Sequence, residues 1–179
     1  VGKDALLVNT TGTANTAMGG LALDANTEGD YNVAMGYYAL GAATTADKNV
    51  AVGSGAGQSI TTGANNVAIG ADALDANTTA SNNTALGKDA LGANTTGASN
   101  VAVGTEALDA NTTANSNTAI GKGSLSSNNT GAENTATGHG SMFTNTTGTL
   151  NVANGADSLY YNTTGSYNVA IGHGSLQDN

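Results

Sequence analysis

The chain contains no cysteine, no proline, no tryptophan and no arginine, and only 9% of its 179 residues are charged. Without cysteine there is no disulfide framework, and the redox compartment cannot be read from thiols. No apolar run approaches the roughly 20 residues that a membrane-spanning helix needs, and the first residues lack the charged and apolar regions of a signal peptide. Four lysines against thirteen acidic residues, with an isoelectric point near 4.1, exclude a nucleic-acid binder, because phosphate neutralisation requires a basic face. Leu, Ile, Val and Phe occupy only 28 positions, a fraction found in disordered chains. The net charge of −9 is nevertheless too small to hold a chain of this length open by self-repulsion, so sequence pattern must decide between order and disorder.

The pattern is a repeat. The pentapeptide Asn-[Thr/Val]-Ala-x-Gly begins at Asn15, Asn32, Asn49, Asn66, Asn83, Asn100, Asn117, Asn134, Asn151 and Asn168, always 17 residues apart, with no insertion or deletion. The unit reads N[TV]AhGxx[AS]LxxNTTGxx, where h is apolar, and its positions are numbered here from the first Asn. Loops tolerate insertions, whereas a solenoid whose turns must register with one another does not. Seventeen residues are too few for a helical hairpin, and Asn, Thr and Gly are poor helix formers. The sequence therefore predicts an all-β, parallel β-roll or β-helix solenoid of about ten 17-residue coils covering residues 1–179 as a single unit. At the usual strand spacing of ~4.8 Å the rod would be roughly 50 Å long.

Each column has an expected role. Positions 2 and 4 should share one face of a short strand and position 3, invariably Ala, the other, where the packing admits only a methyl group. The fifth-position Gly marks a positive φ or a close backbone approach. The [Ala/Ser]-Leu segment should form a second short strand whose leucines stack as the inner core. The two Asn columns can form amide ladders between coils, or they can cap turns in solvent. Ala46, Ala80 and Ala114 replace Gly in the NTTG turn, so positive φ is not required there. In the central coils these structural roles fall on Asn66, Ala68, Gly70 and Leu74; Asn83, Ala85, Gly87 and Leu91; and Asn100, Ala102, Gly104 and Leu108. The coil from residue 49 breaks the pattern with Gly57 in place of Leu and Ile60 in place of Asn, and Ile60 is expected to fill the space vacated at Gly57.

A strand with apolar residues on both faces leaves one stripe uncovered by its own coil. Parallel association of three chains about a common axis would shelter it. The chain begins within a coil at Val1 and stops within another at Asn179 without polar caps, which predicts an uncapped piece of a longer fibre or end-to-end stacking into filaments.

NVAIGHGS and NTAIGKGS resemble the head repeats of trimeric autotransporter adhesins, and NTTGxxNTAxGxxAL is similar to repeats of bacterial and phage tail-fibre proteins. The resemblance spans the whole chain. It implies a left-handed, trimeric β-roll on a cell surface or virion, extending or presenting a tip that attaches to a host surface glycan or protein receptor. The adhesin repeat is usually shorter, which leaves turn and inter-subunit geometry open.

Candidate chemistry is sparse. Asp72, Asp89 and Glu106 recur at position 7, an edge that could attract Ca²⁺ or be relieved by Lys88 beside it. The same carboxylates raise the alternative of a tailspike-like polysaccharide depolymerase. His139 and His173 share position 6 two coils apart, too far for a shared metal within one chain. Thr137 and Asn154 interrupt the apolar fourth column as a polar layer. Tyr37 with Tyr38 and Tyr160 with Tyr161 could stack on sugars or on a neighbouring subunit. The columns containing Thr78, Thr95 and Thr112 raise ice binding as another alternative. No nucleophilic triad, phosphate loop or zinc spacing is present, so no catalytic residue, metal ligand or cofactor is assigned, and no ligand-binding residue can be named.

Overall fold

The computed structural model describes residues 2–179; Val1, expected at position 4 within a coil, lies outside them. Ten three-residue strands form: β1 (Thr16–Met18), β2 (Val33–Met35), β3 (Val50–Val52), β4 (Val67–Ile69), β5 (Thr84–Leu86), β6 (Val101–Val103), β7 (Thr118–Ile120), β8 (Thr135–Thr137), β9 (Val152–Asn154) and β10 (Val169–Ile171). They lie in one parallel sheet in sequence order, and each pairs with the next at a constant offset of 17 residues. Ala17 faces Ala34, and Ala34 faces Ala51. The protein is a β-solenoid. Among the described residues there is no helix long and apolar enough to cross a membrane.

The period-two alternation of each strand decides which side chains meet the interior. The position-3 alanines point inward and are buried from Ala34 to Ala170. Opposite them lie the leucines of position 9, from Leu23 to Leu159, fully buried like Met142 where it stands in, with Gly57 the one gap and with Ala or Ser of position 8 beside them. The interior also takes in both Asn columns. Positions 2 and 4 are correspondingly turned outward.

The second strand expected at [Ala/Ser]-Leu does not form. Positions 7 and 9 both adopt left-handed backbone, as in Asp89 (φ 56°) and Leu91 (φ 52°), and position 17 does so too, as in Ser99 (φ 61°). Left-handed residues on either side of position 8 bend the chain and cannot continue a pleat. The inter-coil ladder persists without a strand: the Leu91 N–H donates to the Ala107 carbonyl at 3.0 Å and the Ala93 N–H to the Asp109 carbonyl at 2.9 Å. No β-branched residue occurs in any of these three columns, consistent with their steric exclusion from that region.

At position 5 glycine is required twice over. Gly87 has φ 141°, and a Cβ there would lie 2.5 Å from the carbonyl carbon and oxygen of Gly104 in the next coil. The glycines of the NTTG turn have no positive φ, which agrees with the Ala substitutions. In the irregular coil Ile60 is fully buried, and its Cδ1 lies 3.0 Å from where a Gly57 Cβ would stand. Ile60 does occupy the space that a leucine would have filled.

Candidate functional site

Both Asn columns form ladders, and they meet at one acceptor. In the first column the Oδ1 of each Asn accepts the backbone N–H of the Asn above it, as Asn49 does from Asn66 at 2.9 Å, and in most coils its Nδ2 as well, here at 3.1 Å. In the second, Asn111 Nδ2 donates to Asn94 Oδ1 at 2.9 Å. Within a coil, amides of both columns converge on the carbonyl of position 15: the Gly97 carbonyl accepts from Asn83 Nδ2 at 2.8 Å and from Asn94 Nδ2 at 2.9 Å. A buried amide unpaired would cost about 1–3 kcal/mol, so this convergence is what allows two columns of amides in the interior. The second ladder is broken where Ala43 and Ile60 replace Asn. Asn26 Oδ1, facing that gap, is buried without a partner.

The predicted central residues occupy these places. Asn66, Asn83 and Asn100 are buried in the first ladder, Ala68, Ala85 and Ala102 in the sheet's inner face, and Leu74, Leu91 and Leu108 in the core; Gly70, Gly87 and Gly104 stack at the strand ends. They are structural, and the outer columns are where partners can be met.

Three outer features stand out. The first is the stripe of positions 2 and 4, in which Met18 (49% exposed), Leu86 (45%), Ile120 (42%) and Ile171 (72%) face outward. Asn154 and the half-buried Thr137 lie adjacent within it. The second is the threonine edge. The Thr95 hydroxyl donates to the Thr112 carbonyl at 3.0 Å and the Thr61 hydroxyl to the Thr78 carbonyl at 3.1 Å, so the position-13 hydroxyls are used within the coil stack.

The third is the carboxylate edge. Asp89 is in direct contact with the Lys88 ammonium, which raises the lysine pKa; the Asp72 and Glu106 charges add to the effect. Two further aspartates of position 10 belong to this edge and escaped the sequence reading. Partial burial pushes the Asp75 carboxyl above the ordinary range, reinforced by Asp72 and Asp89. Burial likewise raises Asp109, against a 2.7 Å hydrogen bond from Ser126 Oγ, with Glu106 adding. Asp157 was also missed. It sits between the two histidines, its Oδ1 3.7 Å from His139 Nδ1 and its Oδ2 4.0 Å from His173 Nε2. Among the described residues no three His, Asp or Glu side chains are grouped so as to hold a metal ion.

Beside His139 lies a half-open groove of about 270 Å³, lined by Glu106, Lys122, Gly123, His139, Gly140, Phe143 and Tyr160. The Phe143 and Tyr160 rings stack across successive coils at 5.2 Å and 8°, and Tyr161 meets Tyr160 edge-on at 4.8 Å. Tyr37 and Tyr38 form a separate, tilted pair at 6.3 Å.

Set against protein-family models, curated proteins and solved structures, the chain matches none.

Proposed function

We propose that this chain is a segment of an extracellular fibre on a cell surface or virion, where it spans distance and presents an adhesive tip, and that it works as a homotrimer packed through the stripe of positions 2 and 4. The observation that carries this reading is the outward stripe in constant register along ten coils, whose fourth position is apolar without a break from Met18 to Ile120, is polar at Thr137 and Asn154, and is apolar again at Ile171. A soluble monomer seldom leaves so continuous a stripe in water. A second copy of the same chain carries the same ridge spacing of ~4.8 Å and can interdigitate with it over the whole length. The motif likeness to adhesin heads and tail fibres supports a threefold arrangement, a left-handed coil, attachment to a glycan or protein receptor, and a place outside the cell. End-to-end assembly into filaments belongs to the same reading.

Two competing readings have less support. An ice-binding face needs free hydroxyls, and those of Thr61 and Thr95 are already donated internally. A depolymerase needs an available carboxylate pair on the acidic edge, and Asp89 is engaged by Lys88.

Sedimentation equilibrium tests the proposal. The expected mass is three times the 17.3 kDa of the chain, and Val101→Glu with Val103→Glu should reduce it to one. A monomeric wild-type protein overturns the reading. A stable dimer overturns the threefold arrangement.

A further inference from the structure

The position-7 column carries Asp72, Asp89 and Glu106, then Gly123 and Gly140, then Asp157. Between Glu106 and Asp157 two successive side chains are missing from the row, where Gly55 and Gly174 are single gaps. This opens a trench two coils long, roughly 10 Å at strand spacing. The Asp157 carboxylate reaches over its Gly140 end, Oδ1 2.7 Å from where a Cβ would stand. Its backbone keeps the left-handed conformation of the column, with φ 64° at Gly123 and 60° at Gly140. Phe143 and Tyr160, the aromatic residues of position 10, each lean over the glycine of the preceding coil; a Cβ on Gly123 would lie 3.4 Å from the Phe143 ring, and one on Gly140 would lie 3.2 Å from the Tyr160 ring. The aromatic wall and the missing side chains therefore occur together. Lys122 and His139 of position 6 form the opposite wall, and Glu106 closes one end.

Two lining groups carry opposite formal charges, the Lys122 ammonium and the Glu106 carboxylate, and His139 lies 3.7 Å from the Asp157 carboxylate. A charged ligand would meet Lys122 and Glu106 together, one of them always of its own sign. What the walls offer is one apolar aromatic surface facing groups that donate and accept hydrogen bonds. A pyranose ring has the complementary form, with a face of C–H bonds and a rim of hydroxyls that do both.

We propose that this groove binds a neutral pyranose residue, with its C–H face on the Phe143–Tyr160 wall and its hydroxyls toward Glu106, Lys122 and His139. The groove is built from positions 6, 7 and 10, whereas the apolar stripe uses positions 2 and 4, so this assignment goes beyond the fibre reading and does not depend on the oligomeric state.

Saturation-transfer NMR on the full chain tests it, with the methyl pyranosides of glucose, galactose, mannose and N-acetylglucosamine as probes and tetramethylammonium and acetate as charged controls. At least one pyranoside should receive saturation. Gly123→Asp restores to the column a residue type it already carries with left-handed backbone at Asp89, refills the trench, and should weaken binding by roughly tenfold or more without unfolding the coil. Tyr160→Ala should weaken it by a similar factor, and Tyr37→Ala, an exposed ring distant in sequence, should leave it unchanged. The assignment is overturned if no pyranoside is saturated, if Gly123→Asp and Tyr160→Ala bind as the wild type does, or if tetramethylammonium is taken up in preference to every sugar.

Discussion

Asn100 gives both its backbone N–H, at 2.9 Å, and its side-chain Nδ2, at 3.3 Å, to the single Oδ1 of Asn83. One amide oxygen thus ties together main chain and side chain of the coil above. Its removal leaves the buried Asn100 N–H without a partner and takes one of two acceptors from Asn100 Nδ2, which keeps the Ala114 carbonyl at 2.8 Å. Asn83→Ala should therefore destabilise the rod by about 2–4 kcal/mol, since a buried group left without a partner costs about 1–3 kcal/mol and the lost amide bond adds to it. Asn94→Ala should cost less, because the chain itself tolerates Ala43 in that column and no backbone N–H depends on Asn94 Oδ1. Chemical denaturation of the two variants compares them, and equal losses would contradict the hierarchy of the ladders.

Gly87→Ala places a methyl group against the Gly104 carbonyl at a φ of 141° that L-residues rarely adopt. A loss of about 3 kcal/mol or more is expected from strain and collision together. Gly97→Ala separates backbone strain from collision. Its Cβ would also run into the next coil, at the Ala114 carbonyl oxygen, but its φ is not positive and the repeat accommodates Ala at the same turn position in Ala46, Ala80 and Ala114, so a smaller loss is expected. If melting temperatures fall equally in both, the positive φ of the position-5 glycines is not what fixes that column.

Ile60 and Gly57 exchange volume within one coil. Gly57→Leu alone should destabilise by about 1–3 kcal/mol, as the new side chain meets Ile60 Cδ1 and Leu40 Cδ2. Adding Ile60→Asn returns the coil to the common pattern and should recover most of the loss. A double-mutant cycle reads the coupling directly, and additive effects would show that the two sites do not share space.

Acid should act in two opposed steps. The raised Asp75 and Asp109 carboxyls favour the protonated form in the fold, so their charge penalty is present at neutral pH and is relieved as pH falls through their folded values. Asp75→Asn should thus raise the melting temperature at pH 7, with the difference vanishing on acidification. Asp30 shifts the other way. The Thr13 backbone N–H at 2.6 Å and its hydroxyl at 2.9 Å hold its pKa below the ordinary 3.8. Its contribution is complete above that ordinary value and is lost as pH falls through the lowered one. In Asp30→Asn that last loss should disappear, because an Asn can accept the same bond, as Asn115 does from the Ala98 N–H. A melting-temperature profile from pH 7 to pH 2 checks both steps.

Features that repeat the same letter every 17 residues were legible in the sequence. The inward Ala17–Ala34–Ala51 column, the leucine core and the compensation of Gly57 by Ile60 follow from column arithmetic and side-chain volume, whereas the same arithmetic placed the two Asn columns without deciding between amide ladders and turn caps. Conformations carried by dissimilar letters were not. Asp89, Leu91 and Ser99 share left-handed backbone although nothing in their side chains is alike. The signal there is negative, namely columns from which Val, Ile and Thr are absent, and reading it would have removed the second strand. Contacts between different columns of successive coils were equally hidden. The Tyr160 ring over Gly140, and Asp157 between His139 and His173, join positions that a column-by-column reading never sets side by side.

The unbroken 17-residue offset has a consequence for how such a molecule changes length. Recombination between the coding stretches of any two coils, at matching codons, removes or adds whole turns and leaves every surviving junction chemically familiar. Length can thus be inherited in increments of one coil, while surface features tied to a particular run of coils, such as the Gly123–Gly140 trench, can be copied, moved or erased without redesigning the rest of the solenoid.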